Sequence, residues 1–174
     1  GAHPMEDLET ALLRIAMETP DDLLEQLTSD PRGFIKVLRR ALPGKDNLVL
    51  LVIDQFEETF TLVEDEAERN HFLKLLAAAV GEPYTPLRLV ITLRADFYDR
   101  PLEHSEFGQL LQAATEVVLP LTPEELNRAI SGPAEGVGAS LEPALVARIL
   151  QEVGDQPGAL PLLQYALTET FEQR

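Results

Sequence analysis

Two charged residues, Asp54 and Arg94, each close an apolar run in a way that suits chemistry. Asn47-Leu48-Val49-Leu50-Leu51-Val52-Ile53 runs into Asp54, with Gln55-Phe56-Glu57-Glu58 behind it. Leu87-Arg88-Leu89-Val90-Ile91-Thr92-Leu93 runs into Arg94, followed by Ala95-Asp96. Near-continuous Val/Ile/Leu runs of this length predict strands buried on both faces of a parallel sheet. Ligands of such sheets bind beyond the carboxyl ends of the strands, which is where Asp54 and Arg94 fall. A carboxylate and a guanidinium facing one crevice suit a magnesium-bound triphosphate.

An aspartate after at least four apolar strand residues, with acids just downstream, has the form of a Walker B motif. The strand supplies rigidity and Asp54 is the candidate magnesium ligand. Glu57 and Glu58 are the candidates for polarising an attacking water, at a spacing that lets one of them face the site. Each residue also has a plainer reading. An aspartate at a strand end is an ordinary turn residue or helix cap. A strand-end arginine commonly pairs with a local carboxylate, here Asp96.

These residues need elements to position them. Met5 to Ala16 reads as an amphipathic helix, Thr19-Pro20 and Asp30-Pro31 as helix starts, and Pro43-Gly44 as a break. After the first strand come a helical stretch from Phe56 to Leu62 and a longer helix from about Asp65 to Val80. The second strand leads to a mixed segment, Asp96 to Ala114, and then to a short third strand, Glu116-Val117-Val118-Leu119. This alternation predicts a parallel α/β sheet of three strands with flanking helices over residues 1–120. Residues 121–174 read as all-helical. Thr122-Pro123-Glu124-Glu125 is a capping box, Gly132 to Ser140 a loop, Pro143 the start of one helix, and about Gly158 to Phe171 the last.

Composition narrows the function classes. The 174 residues carry 14 Lys+Arg against 30 Asp+Glu, a net charge of −16. That charge argues against a nucleic-acid surface and against docking on anionic membranes. With no cysteine, disulfides, thiolate zinc sites and a cysteine nucleophile are excluded. His3, His71 and His104 share no ligand spacing, and no serine sits in a Gly-x-Ser-x-Gly context. No apolar run approaches the roughly 20 residues that span a bilayer. The first residues lack the features of a secretory signal, so a cytoplasmic location is expected.

Several blocks in order resemble the novel STAND NTPase family, signal-transducing P-loop ATPases often fused to WD-repeat propellers in bacteria. They are Leu50 to Glu58, Leu93-Arg94-Ala95-Asp96-Phe97-Tyr98-Asp99-Arg100-Pro101-Leu102, Leu119 to Leu126, and Gly154 to Tyr165. The resemblance implies a P-loop NTPase core followed by a helical lid, with ATP and Mg2+ as cofactors. It implies that Asp54 is the metal carboxylate and that Arg94, ending the sensor strand, reads the γ-phosphate. Pro161, in Gly158-Ala159-Leu160-Pro161-Leu162, takes the place of the lid proline that packs near the adenine; it is also an ordinary helix-start proline.

The sequence departs from the family pattern in two places. G-x-x-x-x-G-K-[ST] is absent, and the sole Gly-Lys pair, Gly44-Lys45, is followed by Asp46. Gln55 stands where many related ATPases place a catalytic glutamate. The chain therefore resembles the family's domain with its N-terminal third, including the phosphate-binding loop, removed. The expectation is a Walker B, sensor and lid portion of an ATP-binding switch that binds nucleotide poorly by itself. Loss of a central strand also predicts self-association or a need for the missing segment. The alternative is a non-catalytic module that binds a protein partner or itself.

Overall fold

The computed structural model describes residues 1–16, 22–42, 47–153 and 158–173. The signals at Thr19-Pro20 and Pro43-Gly44, the Gly44-Lys45 pair and the stretch from Gly154 to Pro157 lie outside the described residues. Contacts divide the chain into two compact units, Gly1–Thr115 and Glu116–Arg174.

The first unit opens with α1 (Pro4–Leu13), which buries Met5, Leu8 and Leu12 at helical spacing. Then come α2 (Leu23–Ser29) and α3 (Gly33–Ala41). They approach so closely at Gly33 that an added Cβ would lie 1.9 Å from the Gln26 carbonyl oxygen. The start expected at Asp30-Pro31 falls slightly later, because the Asp30 carboxylate accepts the Arg32 N–H at 2.8 Å and shapes a turn first. On α3, Phe34, Ile35, Val37 and Leu38 are buried, with Arg39 and Arg40 in the last turn, where cations are favoured.

β1 (Val49–Ile53) leads through α4 (Glu58–Thr61) and α5 (Glu66–Gly81) to β2 (Leu87–Ile91). Asp65 caps α5 by accepting the Ala67 N–H at 2.8 Å. Phe72, Leu73, Leu75 and Leu76 then bury the helix against α3 and β2. The two strands pair in parallel, from Val49 opposite Leu87 to Ile53 opposite Ile91. A 3-10 turn (Ala95–Phe97), α6 (Asp99–Leu102) and α7 (Ser105–Ala114) complete the unit.

The strands are not buried on both faces. Val49, Leu51, Ile53, Leu89 and Ile91 pack on the core formed by the helices. Leu50 and Val52 alternate with them and are 64% and 57% exposed, and Val90 is 48% exposed. Side chains alternate across a strand, so a single layer of helices covers only the odd-numbered set.

The third strand is also absent. Among the described residues the sheet has two strands, and Val117, Val118 and Leu119 are exposed. Strand propensity reflects fit to a pleated surface, and without a ladder to join, Glu116 to Leu119 stays outside the sheet. The fold is mixed α/β and mostly helical, with a small parallel sheet in place of a three-stranded core.

The second unit holds α8 (Pro123–Gly136), α9 (Pro143–Val153) and α10 (Leu160–Glu172). The capping box forms: Thr122 Oγ1 accepts the Glu125 N–H, and the Glu125 carboxylate accepts the Thr122 N–H at 2.8 Å. That backbone donor holds the Glu125 carboxyl below the usual glutamate range. The loop expected from Gly132 begins only after Gly136. The stop is set by Gly138, at φ +72°, with Gly138 N–H donating to Glu135 O and Ala139 N–H to Ala134 O. This is the Schellman pattern, whose left-handed position favours glycine. Leu126 and Ile130 of α8 are buried, whereas α9 and α10 have no fully buried residue among those described.

Candidate functional site at the carboxyl ends of β1 and β2

Adjacent parallel strands in register place their following residues side by side, and Asp54 lies level with Thr92. Thr92 joins the two strand ends through backbone and side chain together. Its N–H donates to Ile53 O at 3.0 Å, and its carbonyl accepts the Phe56 N–H at 2.9 Å. Its hydroxyl donates to Asp54 Oδ1 and accepts the Gln55 N–H at 2.9 Å. The Gln55 N–H also lies 3.1 Å from Asp54 Oδ1. Asp54 is exposed, and its Oδ2 has no hydrogen-bond partner among the described residues.

Gln55 takes φ +55°, a left-handed conformation uncommon for a residue with a side chain. It reverses the chain so that Phe56 drops into the core, stacked on Phe107 at 5.4 Å and edge-on to Phe60 at 6.0 Å. The sharp turn after Asp54 is therefore pinned from below by an aromatic anchor and from the side by Thr92.

The structure separates the two glutamates. A Glu57 carboxylate oxygen lies 3.5 Å from the Arg94 backbone N, at the strand ends. Glu58 instead lines a cleft of about 230 Å³ with Asp7, Leu8, Ala11, Leu51 and Asp54. Of the pair, Glu57 is the one beside Arg94.

Arg94 follows β2, with an exposed guanidinium occupied locally. Its Nε and Nη2 donate to the two Asp96 carboxylate oxygens at 3.0 and 2.8 Å. The guanidinium carbon lies 5.8 Å from the Phe97 ring centroid, within cation–π range. The paired hydrogen bonds hold the Asp96 carboxyl below the usual aspartate range and raise the already high Arg94 value, with Glu57 adding to the latter. Pro161 is an exposed residue at the start of α10, in the second unit.

Among the described residues no group of three or more His, Cys, Asp or Glu is disposed to hold a metal ion. Magnesium bound mainly through water and phosphate oxygens needs only one or two carboxylates. Asp54, an exposed residue with one oxygen fixed and the other without a hydrogen-bond partner among the described residues, fits that requirement. His71 is half-buried, and its Nε2 lies 2.7 Å from Leu27 O, tying α5 to α2.

Sequence reasoning missed Thr92. Its signal was a polar residue after Ile91, which has meaning only once the register aligns it with Asp54.

In parallel α/β sheets ligands bind beyond the carboxyl ends of the strands, the end at which Asp54 and Arg94 lie. The family model Novel STAND NTPase 1 matches residues 1–174, and the chain belongs to that family. No match was found among curated proteins or among solved structures. No helix among the described residues is long and apolar enough to cross a membrane.

Proposed function

We propose that the first unit carries the metal-facing and γ-phosphate-facing part of a STAND-type nucleotide switch. The observation that carries this reading is the placement of Asp54 and Arg94 beyond the same ends of two hydrogen-bonded parallel strands. Asp54 would hold magnesium, and magnesium, when bound, would neutralise phosphate charge. Glu57, beside the Arg94 backbone, orients water. Arg94 reads the terminal phosphate once it exchanges Asp96 for phosphate oxygens, which its planar fork of donors also matches. Pro161 offers an apolar surface for the base, and the second unit acts as the lid of the switch. Nucleotide and protein partners of the family are the expected partners of this chain.

The sequence lacks the glycine-lysine loop whose backbone amides cradle phosphates. Residues 1–174 alone therefore bind magnesium-ATP weakly. Calorimetry with magnesium-ATP tests this: millimolar or weaker affinity is expected, and low-micromolar affinity would overturn it.

A second reading, a non-catalytic interaction module, draws on the Arg94–Asp96 pair and the uncovered sheet face. The reading frame upstream of Gly1 separates the two. A phosphate-binding loop there supports the switch, and its absence supports the module.

A further inference from the structure

We infer that Thr92 is a positioning residue that fixes the Asp54 carboxylate with one oxygen turned to the protein and the other to the crevice. The inference rests on the reading of Asp54 as the metal-facing carboxylate. It adds a residue from the neighbouring strand to that site.

The Thr92 hydroxyl has one proton to give and lone pairs to accept with. Its proton goes to Asp54 Oδ1, and a lone pair takes the Gln55 N–H. The Gln55 N–H is shared with Asp54 Oδ1, so three polar groups close a small ring at the strand ends. A carboxylate with two donors on one oxygen loses rotational freedom, and Oδ2 is left pointing away from them. The bond to an ionised acceptor is also the stronger kind. The backbone N–H and carbonyl of Thr92 are separately spent on Ile53 and Phe56. The strand pairing therefore does not depend on the hydroxyl, which leaves the hydroxyl's part in orienting Asp54 separable from the fold. Supporting partners of this kind, when removed, typically lower metal affinity about 10- to 100-fold.

The test uses residues 1–174 unsubstituted and as Thr92→Val, which keeps the branched shape, and Thr92→Ser, which keeps the hydroxyl. Proton coupling constants of the Asp54 side chain report whether it holds one rotamer. Line broadening by Mn2+ at the Asp54 and Gln55 signals reports metal approach. The unsubstituted chain and Thr92→Ser are expected to show a single rotamer, and Thr92→Val averaged couplings. The Mn2+ concentration at half-broadening should rise at least about tenfold in Thr92→Val.

Averaged couplings in the unsubstituted chain overturn the inference without any variant, as does a Thr92→Val that keeps the original rotamer. Failure of serine to rescue also overturns it, because shape and not the hydroxyl would then matter. If Thr92→Val loses its fold, the unsubstituted chain and Thr92→Ser decide between these outcomes. Couplings that follow the hydroxyl while Mn2+ leaves Asp54 sharp support the hold by Thr92 and overturn the metal reading alone.

Discussion

Arg94 is open to two readings, a local ion pair with Asp96, which the structure holds, and the phosphate contact proposed for it. Its fork is matched to the Asp96 carboxylate, and two oxygens of a terminal phosphate accept the same paired bonds with more charge. Both partners are exposed, so solvent screens the pair and the cost of exchanging it is small. The linkage can be checked by pH. An aspartate whose folded value is depressed stabilises the folded arrangement above its unfolded value of about 3.9 and loses that contribution as pH falls through the depressed value. Asp96 is of this kind, with Arg94 as the leading cause. We expect its carboxyl carbon, followed by NMR, to titrate below an ordinary aspartate. In Arg94→Gln the midpoint should rise toward about 3.9. An unchanged midpoint in that variant would show that the pair does not form in solution.

The turn after β1 is the element that decides whether the strand ends form a site. Gln55 in a left-handed conformation carries a local cost, which neighbouring structure must offset. Phe56 does so: it is fully buried, stacked on Phe107 and edge-on to Phe60. Phe56→Ala is expected to cost about 3–5 kcal/mol in denaturant unfolding. A loss below about 1 kcal/mol would mean that the turn is held otherwise. The strands, the long helix after Asp65 and the capping box at Thr122 were legible because each rests on near-neighbour chemistry. Runs of Val, Ile and Leu, an Asp two residues before Ala67, and a Thr three residues before Glu125 all act within one turn or strand. Other features were not legible because they depend on what lies alongside. Glu116 to Leu119 has the composition of a strand but no ladder to join. Gly132 looks like a stop, yet the helix runs on until Gly138 provides the left-handed position. Asp54 and Arg94 were visible as charges ending apolar runs, and the spacing of Glu57 and Glu58 already set them apart, whereas Thr92 and the choice of Glu57 as the neighbour of Arg94 required the paired strands.

Beyond the site, the first unit taken by itself leaves apolar sheet surface uncovered. Leu48, Leu50, Val52 and Val90 are each between 48% and 64% exposed, and each strand of the pair has one edge without a neighbour among the described residues. Open, apolar strand edges are templates for pairing with another chain, and proteins ordinarily blunt them with charge. Arg88 is the one charged side chain within the two strands, and it donates to Leu87 O. The acidic surface keeps copies apart at long range, but at about 0.15 M salt that repulsion is screened beyond roughly 8 Å and does not protect a local apolar face. Residues 1–174 are therefore expected to self-associate in a concentration-dependent way, measured by size-exclusion chromatography with light scattering. Raising the salt should favour association, as expected when contact is apolar and repulsion is electrostatic. Leu50→Lys or Val52→Lys places a charge on the uncovered face without touching the core, so either should restore a monomer with the unfolding midpoint nearly unchanged. A stable monomer of the unsubstituted chain at high protein concentration would remove self-association from the functional reading. The strand-end site would then stand by itself, because Asp54, Thr92 and Arg94 are held within one copy.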